Sequence, residues 1–247
     1  MASHPSLKRT EHRPWPVPAG EWTWRQNWRD LLFAHYRIPS SVARGLVPAE
    51  LEVQEFDGSA WVGVVPFRIE GLMKRPFPDM PGLSAFPELN VRLYVTLGGK
   101  AGVWFLSLDA ATRLGVWGAR TFFHLPYHHA RMSCDRAGNE VRFQSARRSS
   151  GMRFEARYRP EGEVFEAQPG SIEAFLAERY CLYAKTKDGE LYRGEIHHAP
   201  WPLQRAEGKV EAAQMLAVDG IEGDLGPPLL HFSEGVDVVM WPLEKLK

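Results

Sequence analysis

From Glu88 to Leu97 the chain alternates without a break. Leu89, Val91, Leu93, Val95 and Leu97 share one parity, and Glu88, Asn90, Arg92, Tyr94 and Thr96 share the other. Side chains of a strand point to opposite faces with period two, so this segment reads as a strand with an apolar face and a polar face. A strand of this kind needs neighbours on both edges and a core beneath it. Gly98-Gly99 turns the chain into GVWFLSL, whose continuous apolar run suits a strand buried on both faces.

Other segments carry the same kind of signal. LEVQEF and WVGVVPF flank Asp57-Gly58, a hairpin dipeptide. HHARMSC, EVRFQSA and MRFEARY resemble a three-strand meander, with turns at Ala137-Gly138-Asn139 and Ser149-Ser150-Gly151. CLYAK, LYRGEIHH, WPLQRA, LLHFS and VDVVMW follow as further strands. Helical signals are few and short. Ser40 or Ser41 can cap a helix to Leu46, Asp109 can cap AATRLGVWGARTFFH, Ser171 can cap IEAFLAERY, and residues 209–217 suit one more. Residues 21–50 are ambiguous: Trp24, Trp28, Leu31, Leu32 and His35 fall near helical spacing, β-branched residues are scarce, and Pro39 ends any helix there. The 29 aromatic residues, beside 22 Gly and 19 Pro, favour strands and turns over a helical bundle. The expected class is α+β, mainly antiparallel β, with the strands closed or nearly closed into a barrel that manages its edges. Residues 1–20, with four prolines, read as an extended arm, and residues 21–247 as a single domain without an internal linker or repeat. Residues 71–87 hold four Pro and two Gly, the pattern of a lid or binding loop.

The 30 basic and 30 acidic residues cancel, which excludes a strongly basic nucleic-acid binder. The balance is uneven along the chain. Residues 113–160 carry ten Arg and three acids, and residues 207–247 carry eight acids and three Lys. No RNA-binding aromatic signature or helix-turn-helix pattern accompanies the arginines, so they are expected to face the acidic C-terminal part across the fold. The longest mainly apolar stretch, Ala101 to Leu108, is far short of the ~20 residues that span a bilayer, and the start has no apolar signal-peptide region. Cys134 and Cys181 have neither metal nor redox spacing and read as two thiols in a reducing compartment. A cytoplasmic protein is expected, with homo-oligomerisation left open.

Three constellations could carry chemistry. Glu88, Arg92 and Tyr94 share a strand face next to the proline-rich loop. That face is either solvated or, in a barrel, lines a cavity, where Glu88 and Arg92 lie about 14 Å apart along the strand and hold opposite ends of a ligand. The segment 119–132 gathers Arg120, His124, Tyr127, His128 and His129 around Pro126. Arginine clamps carboxylates, histidine moves protons near neutral pH, and tyrosine donates to a developing oxyanion. A surface or interface role is the alternative, and a metal site is disfavoured because Pro126 interrupts the His124–His128 spacing. The third group is His197, His198 and Trp201, where core or interface histidines are expected. Glu178, Arg179 and Tyr180 read as a structural ion pair ending a helix. GxSxG, P-loop, GxGxxG and CxxC patterns are absent, so serine-hydrolase, NTPase and Rossmann readings lose their usual support.

The ordered blocks FPELNVRLYV, GVWFLSLDA, LPYHHARM, FLAERYCLY, IHHAPWPLQRA and LHFSEGVDVVMWPLE resemble the YqjF-like family of bacterial proteins, from about Trp24 to Leu243. That family is similar, distantly, to acetoacetate decarboxylase. The resemblance implies a conical antiparallel β-barrel with an internal site lined by Glu and Arg. Acetoacetate decarboxylase forms a Schiff base on a lysine whose neighbour is also lysine, in a segment of Arg, a short gap, Pro, Lys, Lys. Here Arg120 and Pro126 match, the gap is one residue longer, and the lysine pair falls on Tyr127 and His128. Glu88 falls where the cavity glutamate is expected. A Schiff base needs an amine, and none of Lys8, Lys74, Lys100, Lys185, Lys187, Lys209, Lys245 or Lys247 stands in that segment.

The expectation is therefore an internal cavity for a small anionic or oxo-acid metabolite, with no metal, cofactor or membrane partner. Arg120, Arg92 and Tyr94 would bind the ligand. Glu88, Tyr127 and His128 would carry lysine-independent proton-transfer or lyase chemistry. The alternative is a non-catalytic binding or interaction protein that keeps the decarboxylase-like fold.

Overall fold

A computed structural model describes residues 4–79 and 84–246, apart from the side chain of Leu114. The first three residues of the arm, residues 80–83 of the proline-rich loop, and Lys247 lie outside the described residues. In chain order the elements are β1 (Trp24–Ile38), α1 (Ser40–Leu46), β2 (Glu52–Val53), β3 (Ala60–Lys74), β4 (Phe86–Leu97) and β5 (Lys100–Ala110). Then come α2 (Arg113–Phe122), β6 (Tyr127–Ala137), β7 (Glu140–Arg147), β8 (Arg153–Phe165) and α3 (Ile172–Ala177). The last are β9 (Cys181–Lys185), β10 (Leu191–His197), β11 (Leu203–Glu211), α4 (Ala213–Val218), β12 (Leu229–Met240) and β13 (Glu244–Lys245).

The strands form one sheet in the order β13-β10-β9-β5-β6-β7-β8-β11-β12-β1-β3-β4-β2, and extra pairings β4–β5 and β10–β12 bend it into a ring-like sheet. All pairings are antiparallel except β5 with β6 and β5 with β9. The two extra pairings create two closed circuits with a common wall, β5-β4-β3-β1-β12. One circuit is completed by β10 and β9, the other by β6, β7, β8 and β11. The alternation of β4 has its cause here. Leu89, Val91, Leu93 and Val95 pack into the main core with Phe143, Phe154, Tyr158 and Phe232 on the larger circuit's side. Glu88, Asn90, Arg92 and Tyr94 face the other way and are equally buried.

Within the ambiguous segment, residues 24–38 form strand β1 and no helix. Trp24, Gln26 and Trp28 face the smaller circuit, but after Asp30 the parity inverts: Leu31 and Phe33 take that side, and Leu32, Ala34 and Tyr36 join the main core. The register with β3 shifts between Arg29 and Ala34, and Asp30 itself has φ 52°. This bulge breaks the period of two, and the residues straddling it imitate helical spacing. Buried Asp30 is held by Arg68 Nη2 at 2.9 Å and Arg136 Nη1 at 2.7 Å, while its carbonyl accepts the Tyr158 hydroxyl at 2.7 Å.

Other details correct the sequence reading locally. The turn at Asp57-Gly58 forms, but β2 pairs with β4 rather than β3. The helix after β5 is capped by Thr112, whose Oγ1 accepts from Gly115 N at 2.8 Å. Asp109 is instead fully buried within β5, bonded to Arg147 Nε at 2.6 Å and to Ser145 Oγ at 2.8 Å. Helix α1 spans the expected residues without a side-chain cap, and α4 starts later than expected because β11 continues to Glu211. Ser171 does cap α3, with Oγ accepting from Ala174 N at 3.2 Å.

The N-terminal stretch is docked. It contains a 3-10 turn at Pro5–Lys8, and Arg13 Nη2 pairs with buried Glu195 Oε2 at 3.0 Å, an oxygen that also accepts from Trp15 Nε1 at 2.7 Å. Three of the central arginines meet acids of the C-terminal part: Arg136 with Glu234, Arg147 with Asp219 and Arg159 with Glu207. Both cysteines are free thiols. Among the described residues no helix is long and apolar enough to cross a membrane.

Candidate functional site: a cavity inside the smaller strand circuit

A cavity of about 320 Å³ lies within the smaller circuit, and all seven of its strands contribute to the wall. Most of the lining is apolar, from Leu31, Val65, Phe67, Phe105 and Leu108 in the middle to Trp24, Phe122 and Phe123 at one end. Helix α2 turns Gly115, Gly118, Ala119 and Phe122 toward it, the spacing of a single helical face. The polar lining groups are few: Glu88, Asn90 and Arg92 from β4, Tyr127 from β6, Arg179 after α3, and Gln26, Thr112 and His198.

Glu88 is 5 % exposed, and its Oε2 accepts the Tyr127 hydroxyl at 2.8 Å. Burial pushes its carboxyl up to about 7, and the Tyr127 hydrogen bond only partly opposes this. Burial and the adjacent carboxylate push the Tyr127 phenol well above its ordinary range. At neutral pH the pair therefore offers an acid that exchanges its proton readily beside a phenol that keeps its own.

Arg92 donates from Nε to the Tyr94 hydroxyl at 3.3 Å and from Nη2 to the Leu176 carbonyl at 3.1 Å. Tyr94 lies behind Arg92, outside the lining, with its hydroxyl 2.5 Å from His35 Nε2. Burial and the nearby Arg92 hold His35 well below its usual range, so its neutral ring can accept a hydrogen bond from the Tyr94 hydroxyl. Arg179 donates from Nε to the Phe175 carbonyl at 2.6 Å and from Nη1 to Gln54. Burial lowers its guanidinium to about 10. Among the described residues no carboxylate lies within ion-pair distance of Arg92 or Arg179. The cavity thus holds two desolvated cations and one acid near half-ionisation. The Asn90 Oδ1 and Trp201 Nε1 atoms are also buried without partners.

The expected residues divide. Glu88, Arg92 and Tyr127 come together on the wall, and Tyr94 supports Arg92. Arg120 does not line the cavity. It is exposed on the outer side of α2, because the inner face belongs to Gly115, Gly118, Ala119 and Phe122, and its Nε donates to the Tyr127 carbonyl at 2.6 Å. His128 has the opposite strand parity to Tyr127 and points away from the lining, where burial and the nearby Arg147 lower its basicity. His198 and Trp201 face the cavity, whereas His197 Nε2 meets the Ser6 carbonyl at 2.8 Å. Arg179 was read as half of an ion pair and is instead a cavity cation. Glu178 beside it hides that role in the sequence. Among the described residues no lysine lines the cavity, and Lys74 only rests on the rim, with Nζ 5.3 Å from the Trp24 ring and 5.8 Å from the Phe122 ring. No cluster of metal-ligating side chains occurs among the described residues.

The ring-like, mainly antiparallel sheet is the fold of acetoacetate-decarboxylase-like proteins of known structure. Residues 25–237 match the model of the DUF2071 family, described as an uncharacterized conserved protein, and the chain belongs to that family. It is 44 % identical over 230 residues to the uncharacterized protein YqjF of Bacillus subtilis, covering 93 % of this chain and 95 % of the relative. Among solved structures it is similar to the enduracididine biosynthesis enzyme MppR complexed with the condensation product of pyruvate and imidazole 4-carboxaldehyde. That match has a TM-score of 0.68 and 12 % identity, with 95 % of this chain and 92 % of that one covered. The acetoacetate decarboxylase of Legionella pneumophila matches with a TM-score of 0.63 and 13 % identity, covering 100 % of this chain and 98 % of that one. An acetoacetate decarboxylase-like enzyme from Sphingomonas wittichii matches at 0.65 and 14 %, covering 96 % and 98 %. At these identities the solved structures establish the shared fold.

Proposed function

We propose that this protein binds a small anionic metabolite of the oxo-acid type in the cavity, its anionic group held by Arg92 and Arg179. The observation that carries the reading is the pair of buried guanidiniums without an acidic partner. Two unpaired desolvated charges are expensive, and an anionic ligand supplies the missing counter-charge. That a solved MppR structure, of the same fold, is a complex with pyruvate is in keeping with this. Glu88 and Tyr127 form the proton-handling pair, with the carboxyl placed to give or take a proton near neutral pH. The chemistry is lysine-independent proton transfer or lyase chemistry, because a Schiff base needs an amine and the lining offers none. The same lack of an amine favours a second reading, a cytoplasmic binding protein without turnover, which absence of any product from bound oxo acids would support.

The test is a thermal-unfolding screen of carboxylates against their methyl esters. Saturating ligand at a hundred times Kd stabilises by about 2.7 kcal/mol. Carboxylates should raise the transition and the esters should not, and Arg92→Gln should abolish the difference. Equal effects of acid and ester, or an unaffected Arg92→Gln variant, would refute anion binding at this site.

A further inference from the structure

The proposed site has its charges at one end and its proton-handling pair well away from them. Register fixes this. Arg92 stands opposite Phe105, in the middle of β5, whereas Glu88 stands opposite Ala110, the last residue of β5, where the chain turns toward α2. Four residues of strand separate the two, about 14 Å at ~3.4 Å per residue. The guanidinium of Arg92 is drawn the other way, toward Tyr94 and Leu176. Beyond Glu88 the lining continues to Phe86 and the α2 face, so the cavity extends about 20 Å along β4.

The cavity volume is about 320 Å³. A three-carbon oxo acid would displace only about three or four waters' worth of this space at ~30 Å³ each. Bound at Arg92 and Arg179, it would not reach Glu88 or Tyr127. The walls between the two polar stations are the apolar Leu31, Val65, Phe67 and Leu108, with Asn90 as the one polar side chain of β4 between them.

We infer that the ligand is an elongated linear monocarboxylate: an anionic head at Arg92 and Arg179, an apolar body through the middle of the cavity, and an oxo or hydroxyl oxygen in its far half, against Glu88 and Tyr127. This rests on the anion-binding reading above and adds the size and shape of the molecule. Helix α2 closes the far end. Gly118 lines the cavity, and an added Cβ there would meet nothing within 4 Å.

The experiment is calorimetric titration of the full chain with pyruvate, 2-oxohexanoate, 2-oxooctanoate, hexanoate, octanoate and octan-1-ol. Each added methylene that enters the cavity should tighten binding about fourfold. Octanoate should bind at least tenfold more tightly than octan-1-ol, and Arg179→Gln should remove that advantage. Gly118→Leu, which narrows the far end, should flatten the length dependence. Affinity that is independent of length while the head-group advantage persists would overturn the elongated ligand and leave the anion site standing. Length dependence without any advantage of carboxylate over alcohol would overturn the anion site, and with it this assignment of the head. Failure of the whole series to bind would overturn both.

Discussion

Glu88→Gln tests the central electrostatic feature of the cavity without a ligand. Burial raises the Glu88 carboxyl from its ordinary 4.5 to about 7 in the folded protein. The sign follows from proton counting. Below pH 4.5 the folded and unfolded chains both hold this proton, and the group has no effect. Between pH 4.5 and 7 the unfolded chain releases it while the folded chain retains it, so stability falls as pH rises. The full penalty, 2.5 pH units at ~1.36 kcal/mol each, is about 3 kcal/mol and is complete above pH 7. Less than half of it is already present at pH 5.5, which leaves about 2 kcal/mol to develop between pH 5.5 and 8.5.

Glutamine keeps an oxygen to accept the Tyr127 hydroxyl and carries no titrating proton. The stability difference between Glu88→Gln and wild type should therefore shift in the variant's favour by about 2 kcal/mol from pH 5.5 to 8.5. Urea unfolding of both proteins at the two pH values, extrapolated to water, reads this directly. In thermal unfolding the same shift corresponds to about 4–8 °C for a chain of this size. A difference that is constant across this range, or one that moves against the variant at high pH, would refute the buried, raised carboxyl.

Arg147→Ala should cost about 3–5 kcal/mol in urea unfolding, because it strands Asp109, which is fully buried and bonded to Arg147 Nε at 2.6 Å; a loss below 1 kcal/mol would refute the structural role of that pair. Borohydride reduction in the presence of acetoacetate should leave the wild-type mass unchanged, and a stable adduct seen by mass spectrometry would overturn lysine-independent chemistry. Tyr127→Lys should place an ammonium beside Glu88 and pull its carboxyl down, so the pH-dependent gap between it and its Glu88→Gln double variant should shrink; an undiminished gap would show that Tyr127 does not contact Glu88.

How far the fold could be read depended on whether each strand kept its period. β4 was legible because it is straight where it forms the common wall, so its apolar side meets the main core and its polar side meets the cavity. β1 was not, because the bulge at Asp30 exchanges its two faces partway along, and a pattern that changes parity has no single period. Asp109 was legible as an acid before a helix but not as a buried partner of Arg147, a contact made across 38 residues. Among the site residues, Glu88, Arg92 and Tyr127 could be placed because strand parity alone determines their side. Arg120 could not. Its helix does border the cavity, but only the face carrying Gly115, Gly118 and Ala119 looks inward. Arg179 was hidden by its neighbours: Glu178 and Tyr180 suggested a local ion pair, whereas Glu178 is occupied by the Tyr180 hydroxyl and by Trp201 N at 2.9 Å.

The exchange of a lysine pair for Tyr127 and His128, implied by the resemblance to acetoacetate decarboxylase, has an electrostatic consequence beyond the loss of a nucleophile. An ammonium beside Glu88 would hold the carboxyl ionised at every physiological pH. A phenol cannot supply positive charge, so burial prevails and the carboxyl rises into the neutral range. The positive charge of the cavity is carried instead by the guanidinium groups of Arg92 and Arg179, which cannot serve as imine-forming amines. Charge and proton exchange, which adjacent lysines can combine at one point, are here divided between two stations along β4. A ligand that uses both must be long enough to reach from one to the other, which ties the chemistry open to this cavity to the length of the molecule it holds.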